Sequence, residues 1–338
     1  MSLRWLARKT LTLPRLPEAV LRHRAKQFVT VLGYHRILPP VGRDYPFNES
    51  VISATPEEFA RELRFLRANL DVISVSDLQA GLEGTARLPR RPAVITFDDG
   101  YADNHGFALP LLRDAGLPAC FFVCTGLLGT RNVPWHEAWV CCLKRSAASE
   151  IESPFGGGDP PYLLDDAHRA SSIQRFRRQI WRLPYSQVPA RVERLKELTR
   201  VDPAAHAAEP LFMTWDQARD MAAAGMDIGG HTRSHPSLAR VDDRQTLADE
   251  VAGCFRDIER EIGRPPVAFA YPFGYAEFMS AEADAAIEQA GFGISFSFIN
   301  GFAPRRPSGV RRLPRIHASL GNDFAAFRVR MATAPSLS

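Results

Sequence analysis

The sequence predicts an α/β fold in which repeated strand–helix units close into a barrel. Short apolar runs alternate with amphipathic helical patterns over most of the chain, and several helical patterns stop at a glycine. Strand–helix–strand units of this spacing pair their strands in parallel through right-handed crossovers. Acidic residues and histidines also follow directly after two of the apolar runs. Because parallel barrels carry their sites at the carboxyl ends of the strands, we expect the chemistry of this protein at that face.

Apolar runs and turn residues locate the individual elements. A first strand is expected over residues 28–34, and it ends at His35, which either faces the site or bonds to backbone near a turn. Thr55, Pro56 and Glu58 predict the start of a helix. Further strands are predicted over residues 72–75, 94–97, 119–123, 226–228, 267–270 and 293–298. Further helices are predicted over residues 104–115, 215–225, 242–262 and 280–290.

The regular alternation is interrupted between about residues 130 and 212. Glycines and prolines over residues 156–161 predict a loop, and residues 173–183 and 188–199 predict basic amphipathic helices. Trp135, Trp139 and Trp181 lie in or beside this insertion, where they either form platforms for sugar rings or fill a small separate core. We expect the insertion to determine substrate selectivity.

Composition divides the chain into three expected parts. Residues 1–27 form a basic extension, residues 28–325 form one domain that contains the insertion, and residues 326–338 form a tail. Residues 1–26 carry seven Lys or Arg and one acid, which leaves 35 basic and 37 acidic residues in the rest. This near-neutral body argues against nucleic-acid binding. The basic extension is either a contact with anionic membrane or a solvated terminus.

No apolar stretch in the sequence has the length of a signal peptide core or a membrane span. We therefore expect a cytoplasmic protein, with peripheral contact at the inner membrane face as a further option. The five cysteines, two of them adjacent, do not suggest a disulfide framework and fit a reducing compartment.

The most informative stretch is Thr96-Phe97-Asp98-Asp99-Gly100, where a buried run ends in two adjacent carboxylates. Two carboxylates this close do not both stay ionised without a nearby cation. Far downstream, His231 and His235 stand four residues apart in a predicted turn. Two histidines and one carboxylate form a three-ligand set that leaves a position open on a divalent ion. Alternatively, the acids cap a turn and the histidines are solvated.

These stretches resemble the first two motifs of the polysaccharide deacetylases, the NodB-homology domain of carbohydrate esterase family 4. A third motif follows in the same order at residues 269–274 (Phe-Ala-Tyr-Pro-Phe-Gly), and a fourth candidate lies at residues 313–317 (Leu-Pro-Arg-Ile-His). The likeness extends from about residue 28 to about residue 317, apart from the insertion. It implies a distorted barrel of about seven strands, which periodicity alone does not establish.

The resemblance also implies roles for the motif residues. Asp99, His231 and His235 would hold a single divalent ion, with zinc favoured and cobalt or nickel as alternatives. Asp98 would be the general base that takes a proton from a water activated by the ion.

Three further residues of the last two motifs have implied or candidate roles. Phe273 would offer its backbone N–H to the oxyanion. Tyr271 either lines the site or packs. His317 is the candidate general acid, with an exposed histidine beside a strand end as the alternative.

Two positions depart from the common family pattern. Many members carry an arginine where this chain has Ala270, and a leucine where it has Arg315. We therefore expect Arg315 to replace the missing arginine as the partner that orients Asp98.

The resulting expectation is a metal-dependent hydrolase that removes the N-acetyl group from an N-acetylated sugar, either an N-acetylglucosamine-type glycan or a lipid-linked glycan precursor. One alternative uses the same mechanism on an O-acetyl sugar. Another is a carbohydrate-binding protein that retains the fold without turnover.

Overall fold

Seven parallel strands form the centre of the molecule. Six arise from predicted apolar runs, and the seventh contains the fourth motif candidate at residues 313–317. The computed structural model describes residues 16–305, 311–318 and 324–336. In chain order the seven strands are β1 (Phe28–Tyr34), β2 (Pro92–Phe97), β3 (Cys120–Val123), β4 (Asp227–Gly230), β5 (Ala268–Ala270), β6 (Ile294–Asn300) and β7 (Leu313–His317).

The seven strands close on themselves in the spatial order β1-β7-β6-β5-β4-β3-β2, with β2 pairing back onto β1. The β1–β2 pairing is the longest and runs from Thr30 opposite Ala93 to Tyr34 opposite Phe97. At the other edge of β1, Leu32 lies opposite Ile316 of β7. The register between β6 and β7 shifts along their length, so the ring is irregular. The predicted distorted seven-stranded barrel is therefore confirmed.

Alternate residues of the strands separate the barrel interior from its outer face. One cluster fills the interior with side chains from the strands and from one helix: Val29, Val31, Val75, Leu78, Val94, Cys120, Phe122, Ala268, Ala270, Ile294, Phe296 and Leu313. The intervening residues, such as Leu32, Ile95 and Phe121, belong to the larger core between the sheet and its helices.

Most of the helices surround the barrel, and several begin at a capping side chain. They are α1 (Leu16–Arg24), α2 (Pro56–Asn69), α3 (Val75–Leu82), α4 (Leu109–Ala115), α5 (Trp135–Arg145), α6 (Arg169–Ile180), α7 (Val188–Thr199), α8 (Trp215–Ala223), α9 (Arg244–Ile262), α10 (Ala281–Ala290) and α11 (Phe324–Thr333). Thr55 and Glu58 form the predicted capping box of α2, and Gly263 ends α9 with a φ of 78°.

Short strands complete the sheets. Asp71–Val72 extends the barrel sheet beside β2, and Ala303–Pro304 pairs antiparallel with β1. Arg36–Ile37 pairs with Ile52–Ala54 in a separate two-stranded sheet.

The insertion forms a satellite unit of α5, α6 and α7 with an antiparallel pair of strands, Glu150–Ile151 and Tyr162–Leu163. It has its own hydrophobic core, which includes Trp139, Phe176 and Leu195. The predicted helix over 188–199 is observed as α7. In contrast, α6 begins at Arg169, ahead of the predicted start at residue 173.

Both ends of the described chain pack together as helices. Leu21 of α1 is buried, and Arg328 of α11 forms an ion pair with Glu18 at 2.6 Å. The predicted boundary at residue 325 therefore falls inside a helix, and residues 16–24 belong to the folded body. The first 15 residues, which contain most of the predicted membrane contact, lie outside the described residues. Within the described part of the chain, no helix combines the length and apolarity needed to cross a bilayer.

Candidate active site

Asp98 and Arg315 face each other at the mouth of the barrel. Asp98 continues the inward-facing positions of β2, and Arg315 occupies an inward-facing position of β7. The Arg315 guanidinium donates from Nη1 and Nη2 to the two carboxylate oxygens of Asp98, each at 2.7 Å. It also donates to Thr96 Oγ1 at 3.1 Å and, through Nε, to the Ser297 carbonyl at 2.8 Å. This bidentate geometry fixes the orientation of the carboxylate.

The Asp98–Arg315 pair is removed from solvent, with side-chain exposures of 3% and 0%. Burial acts to raise the pKa of Asp98, but the charge and hydrogen bonds of Arg315 outweigh it and hold the pKa below its usual value. Asp98 is therefore an ionised, oriented carboxylate.

Asp99 lies between the two histidines of the second motif. Its Oδ1 is 3.2 Å from His231 Nε2 and 3.2 Å from His235 Nε2. His231 donates through Nδ1 to the Ala270 carbonyl at 2.7 Å. This hydrogen bond leaves the Nε2 lone pair of a neutral His231 directed toward Asp99. Residues remote in sequence thus meet at the carboxyl ends of β2 and β4.

These three residues fit a divalent ion. Donors that bind one zinc at about 2.0–2.2 Å are separated by roughly 3–3.5 Å, close to the spacing found here. Asp99 Oδ1 is buried without a hydrogen-bond partner of good geometry among the described residues. In protein metal sites, a histidine that binds the ion typically donates a hydrogen bond from its other ring nitrogen to a group such as a backbone carbonyl.

Cys124 offers a further donor near the same place. The donor atoms of Asp99, Cys124 and His231 lie within 4.8 Å of one another. However, the thiol of Cys124 is 3.3 Å from the His231 carbonyl, to which it donates, and burial raises its pKa well above the usual value. A thiolate is therefore disfavoured, and the set of Asp99, His231 and His235 suits the ion better.

The backbone around the site is strained. Asp99, Thr232, His235 and Phe273 adopt positive φ angles of 76°, 67°, 62° and 61°. Such conformations cost about 1–3 kcal/mol each in non-glycine residues and concentrate at functional sites. They turn the motif side chains toward one another where each strand ends.

The site opens into a cleft of about 530 Å³. Barrel and insertion both contribute to its walls: the lining residues include His35, Asp99, His235, Phe273, Tyr275, Phe298, His136, Trp139, Ile173, Arg177 and Trp181. This mixture of aromatic, aliphatic and a few polar groups is typical of a small-molecule binding site.

Phe273 and Tyr271 of the third motif have different surroundings. Phe273 lines the cleft, and its backbone N–H makes no hydrogen bond to other described residues. Tyr271 is 1% exposed, and its hydroxyl donates to Asp284. This tyrosine packs in a core on the far side of β5, so the structure does not place it at the cleft.

His317 stands apart from the cleft lining. Its ring stacks on Phe298 with centroids 4.0 Å apart, and Nε2 donates to the Phe298 carbonyl at 2.6 Å. Burial lowers the pKa of His317 to about 4, which disfavours the protonated form that a general acid requires. His35, the other histidine of this region, lines the cleft directly.

The three tryptophans, which were expected either to form sugar platforms or to fill a core, have different surroundings. Trp139 is 4% exposed and stacks on Phe176, as expected of a core residue, although its edge reaches the cleft. Trp181 packs against Phe273 and forms part of the cleft wall. Trp135 donates through Nε1 to the His235 carbonyl at 3.3 Å.

Sequence reasoning missed the start of α5. Glu137 is fully buried, accepts from the Tyr101 hydroxyl at 2.6 Å, and accepts from the Asn48 backbone at 2.8 Å. These bonds attach the insertion to the barrel beside Asp99. The available signal was the triplet Trp135-His136-Glu137 at the start of the insertion, in which every side chain carries a polar atom.

The sequence matches the family model described as polysaccharide deacetylase over residues 85–153 and 201–294, which omits the middle of the insertion. Together with the motifs and the barrel, this match shows that the chain belongs to the polysaccharide deacetylase family. Membership supports a hydrolase activity. A comparison with curated protein sequences finds no match.

Solved structures with the same fold include several deacetylases. The Streptococcus pyogenes deacetylase PplD, solved in complex with acetate, superposes with a TM-score of 0.59 at 15% identity, covering 90% of this chain and 98% of that one. IcaB from Ammonifex degensii gives 0.56 at 19% identity, with coverages of 90% and 97%. A de-N-acetylase from Aggregatibacter actinomycetemcomitans gives 0.53 at 18%, with coverages of 89% and 99%. At these identities the likeness shows the fold.

Proposed function

We propose that this protein is a metal-dependent hydrolase that removes the N-acetyl group of an N-acetylated sugar in a glycan of the N-acetylglucosamine type. The observation that carries the proposal is the approach of His231 and His235 to Asp99, each at 3.2 Å, beside the buried Asp98–Arg315 pair. Asp99 and His235 also line the cleft. A glycan-binding protein has no need of an oriented carboxylate beside such a set.

Asp99, His231 and His235 would hold the ion, for which zinc is the favoured candidate and cobalt or nickel are alternatives. A divalent ion at this position supplies a lowered pKa for a bound water and polarises the acetyl carbonyl. Asp98, held ionised by Arg315, accepts the proton of the attacking water. The Phe273 backbone N–H makes no hydrogen bond to another described residue and would donate to the oxygen that becomes negative.

Cleavage of the amide also requires a proton for the leaving amine. His317 stays our candidate for this step through Nδ1, because Nε2 is engaged by the Phe298 carbonyl. Because its pKa is low, the proton must reach Nδ1 during the reaction, and the proposed source is Asp98 after it has accepted a proton.

One solved structure with this fold is described as a polysaccharide deacetylase from Bacillus cereus. We extend a polysaccharide substrate to this chain as part of the proposal: exopolysaccharide biosynthesis on an N-acetylated glycan or its lipid-linked precursor. The site would then work at the inner membrane face, in the cytoplasm.

The test is acetate release from N-acetylglucosamine oligomers by protein loaded with Zn²⁺. We expect activity that disappears with a chelator and returns with Zn²⁺ or Co²⁺. Asp98→Asn should lower turnover by about 10²–10⁴-fold, since that is the usual contribution of a general base, and should leave metal stoichiometry unchanged.

Exposed Asp216→Asn is the matched control and should retain full turnover. Acetate release that survives complete metal removal, or full activity of Asp98→Asn, would refute the proposed mechanism. Release only from O-acetylated sugars would instead identify an esterase.

A further inference from the structure

His136 of the insertion lies beside the candidate metal ligands. Its ring centroid is 4.4 Å from that of His235, and the residue lines the same cleft as Asp99. His136 as a whole is partly exposed, but both ring nitrogens are buried and neither has a hydrogen-bond partner among the described residues. A buried polar group without a partner is unfavourable, so two in one ring require an explanation.

The neighbours of His136 hold it in place. Trp135, one residue before, donates to the His235 carbonyl, and Glu137, one residue after, bonds to Tyr101 of the barrel. The side chain between them is therefore presented by a fixed piece of helix. A preorganised polar group on a rigid element is a feature of binding sites.

A role as a fourth metal ligand is not favoured. Asp99, His231 and His235 already form the three-ligand set that is typical of a catalytic zinc site. A fourth protein ligand would also close the position that a catalytic ion keeps open for water and substrate.

We propose that His136 binds the acetylated sugar directly, by hydrogen bonds from its ring to an amide or hydroxyl group of the sugar unit being deacetylated. This inference rests on the proposed function and extends it to substrate recognition. A neutral imidazole has one donor and one acceptor, which matches a sugar hydroxyl or an acetamido group. His136 and Asp99 line the same cleft, so a sugar whose acetyl group lies at Asp99 occupies the space into which this ring faces. The insertion thus contributes a specificity residue to the barrel site.

The experiment separates hydrogen bonding from packing by using two substitutions of His136. His136→Phe preserves the aromatic contacts with His235 and Phe212 but removes both polar atoms. His136→Gln loses the ring but retains a donor and an acceptor. Each is made in the Asp98→Asn background, so that binding of penta-N-acetylchitopentaose to zinc-loaded protein is measured by calorimetry without turnover.

We expect His136→Phe to weaken chitopentaose binding about tenfold, because a hydrogen bond to the ligand is lost, and His136→Gln to weaken it less. Zinc affinity, measured by competition with a chromophoric chelator, should be the same in both. His168→Phe is the control, because that exposed histidine of the insertion bonds to Asp165 and should bind the sugar normally.

Unchanged sugar binding in His136→Phe, with a loss only in His136→Gln, would show a packing role and overturn the inference. Weakened zinc binding in both variants would show a role through the metal site and would also overturn it. If the Asp98→Asn protein binds the oligomer but the wild type releases no acetate, the proposed function fails while the binding role of His136 is still tested. If the oligomer does not bind at all, both fail.

Discussion

Arg315 is charged and has no solvent access, and its guanidinium donates four hydrogen bonds. Two of its hydrogen bonds go to Asp98, and the others go to Thr96 and the Ser297 carbonyl. Breaking such a buried pair by removing one partner typically costs about 3–5 kcal/mol, because the other charge is left without compensation. At the scale of single residues, this pair thus couples the stability of the barrel mouth to the position of the proposed base.

Replacing Arg315 should therefore affect catalysis more than metal binding. We expect Arg315→Lys to lower turnover about 10²-fold, since a single ammonium cannot reproduce the two-point contact that fixes Asp98. Arg315→Met should lower turnover further and destabilise the fold. Steady-state kinetics, bound-metal analysis and thermal unfolding are measured on each variant.

The control is Arg311→Met, which alters a neighbouring arginine whose 3.9 Å contact with Glu288 is remote from the site. Unchanged turnover in a folded Arg315→Lys protein would dismiss the orienting role.

At this scale the sequence was informative where motifs exist. Asp99, His231 and His235 could be grouped from their order and residue types, and the structure brings them together. His136 could not be found in this way, because its position depends on how α5 packs across the barrel, which no local pattern encodes. For Tyr271 the sequence left lining the site and packing as alternatives, because strand-end residues alternate between the two faces; the structure places it in a core.

Among the helices and strands, too, some were predicted from the sequence and others were not. Elements with strong caps were predicted well: the predicted start of α2 is observed at Pro56, and the helix predicted over 242–262 is observed as α9 over Arg244–Ile262. In contrast, α5 was missed, because it follows Pro134 with no side-chain cap to mark its start. The strand predicted over 72–75 ends at Val72, because Ser74 caps α3 by accepting from Asp77.

Strand β4, which leads to His231, depends on its two glycines for close packing. A Cβ atom on Gly229 would lie 2.5 Å from the Phe122 ring and 2.9 Å from the Ala268 carbonyl oxygen. Because the carbonyl is backbone and cannot easily move, we expect Gly229→Ala to destabilise the protein by about 1–3 kcal/mol. Urea unfolding monitored by circular dichroism measures the change.

The matched control is Gly157→Ala in the insertion loop, where an added Cβ would meet nothing within 4 Å. Equal stability of the two variants would contradict the packing argument for β4.

For the molecule as a whole, a buried acid links the helical layer to the barrel. Glu62 of α2 accepts from the Tyr34 hydroxyl at 2.8 Å, and burial raises the pKa of Glu62 to about 8. At pH values between 4.5, the usual pKa of a glutamate, and about 8, the pKa of Glu62 in the folded protein, Glu62 is protonated in the folded state and ionised in the unfolded state. The contribution of Glu62 to stability is therefore fully present below pH 4.5 and decreases as the pH rises through 8.

Glu62→Gln removes this dependence, because a glutamine does not ionise. We expect its free energy of unfolding to increase relative to the wild type as the pH rises from 5 to 8, by up to about 1.4 kcal/mol per pH unit. Denaturant unfolding at several pH values measures the difference between the two proteins. Glu57→Gln on the exposed face of the same helix should show no such trend, and a pH-independent difference for Glu62→Gln would argue against a buried protonated acid.

The pairing of β7 with β1 means that the barrel cannot close until β7 has been synthesised. Before then β1 and β6 each present an unpaired edge, and Asp98 lacks the counter-charge of Arg315. Closure of the scaffold and orientation of the proposed base thus depend on the same strand. Unpaired strand edges favour aggregation, so we expect a chain that lacks β7 to aggregate.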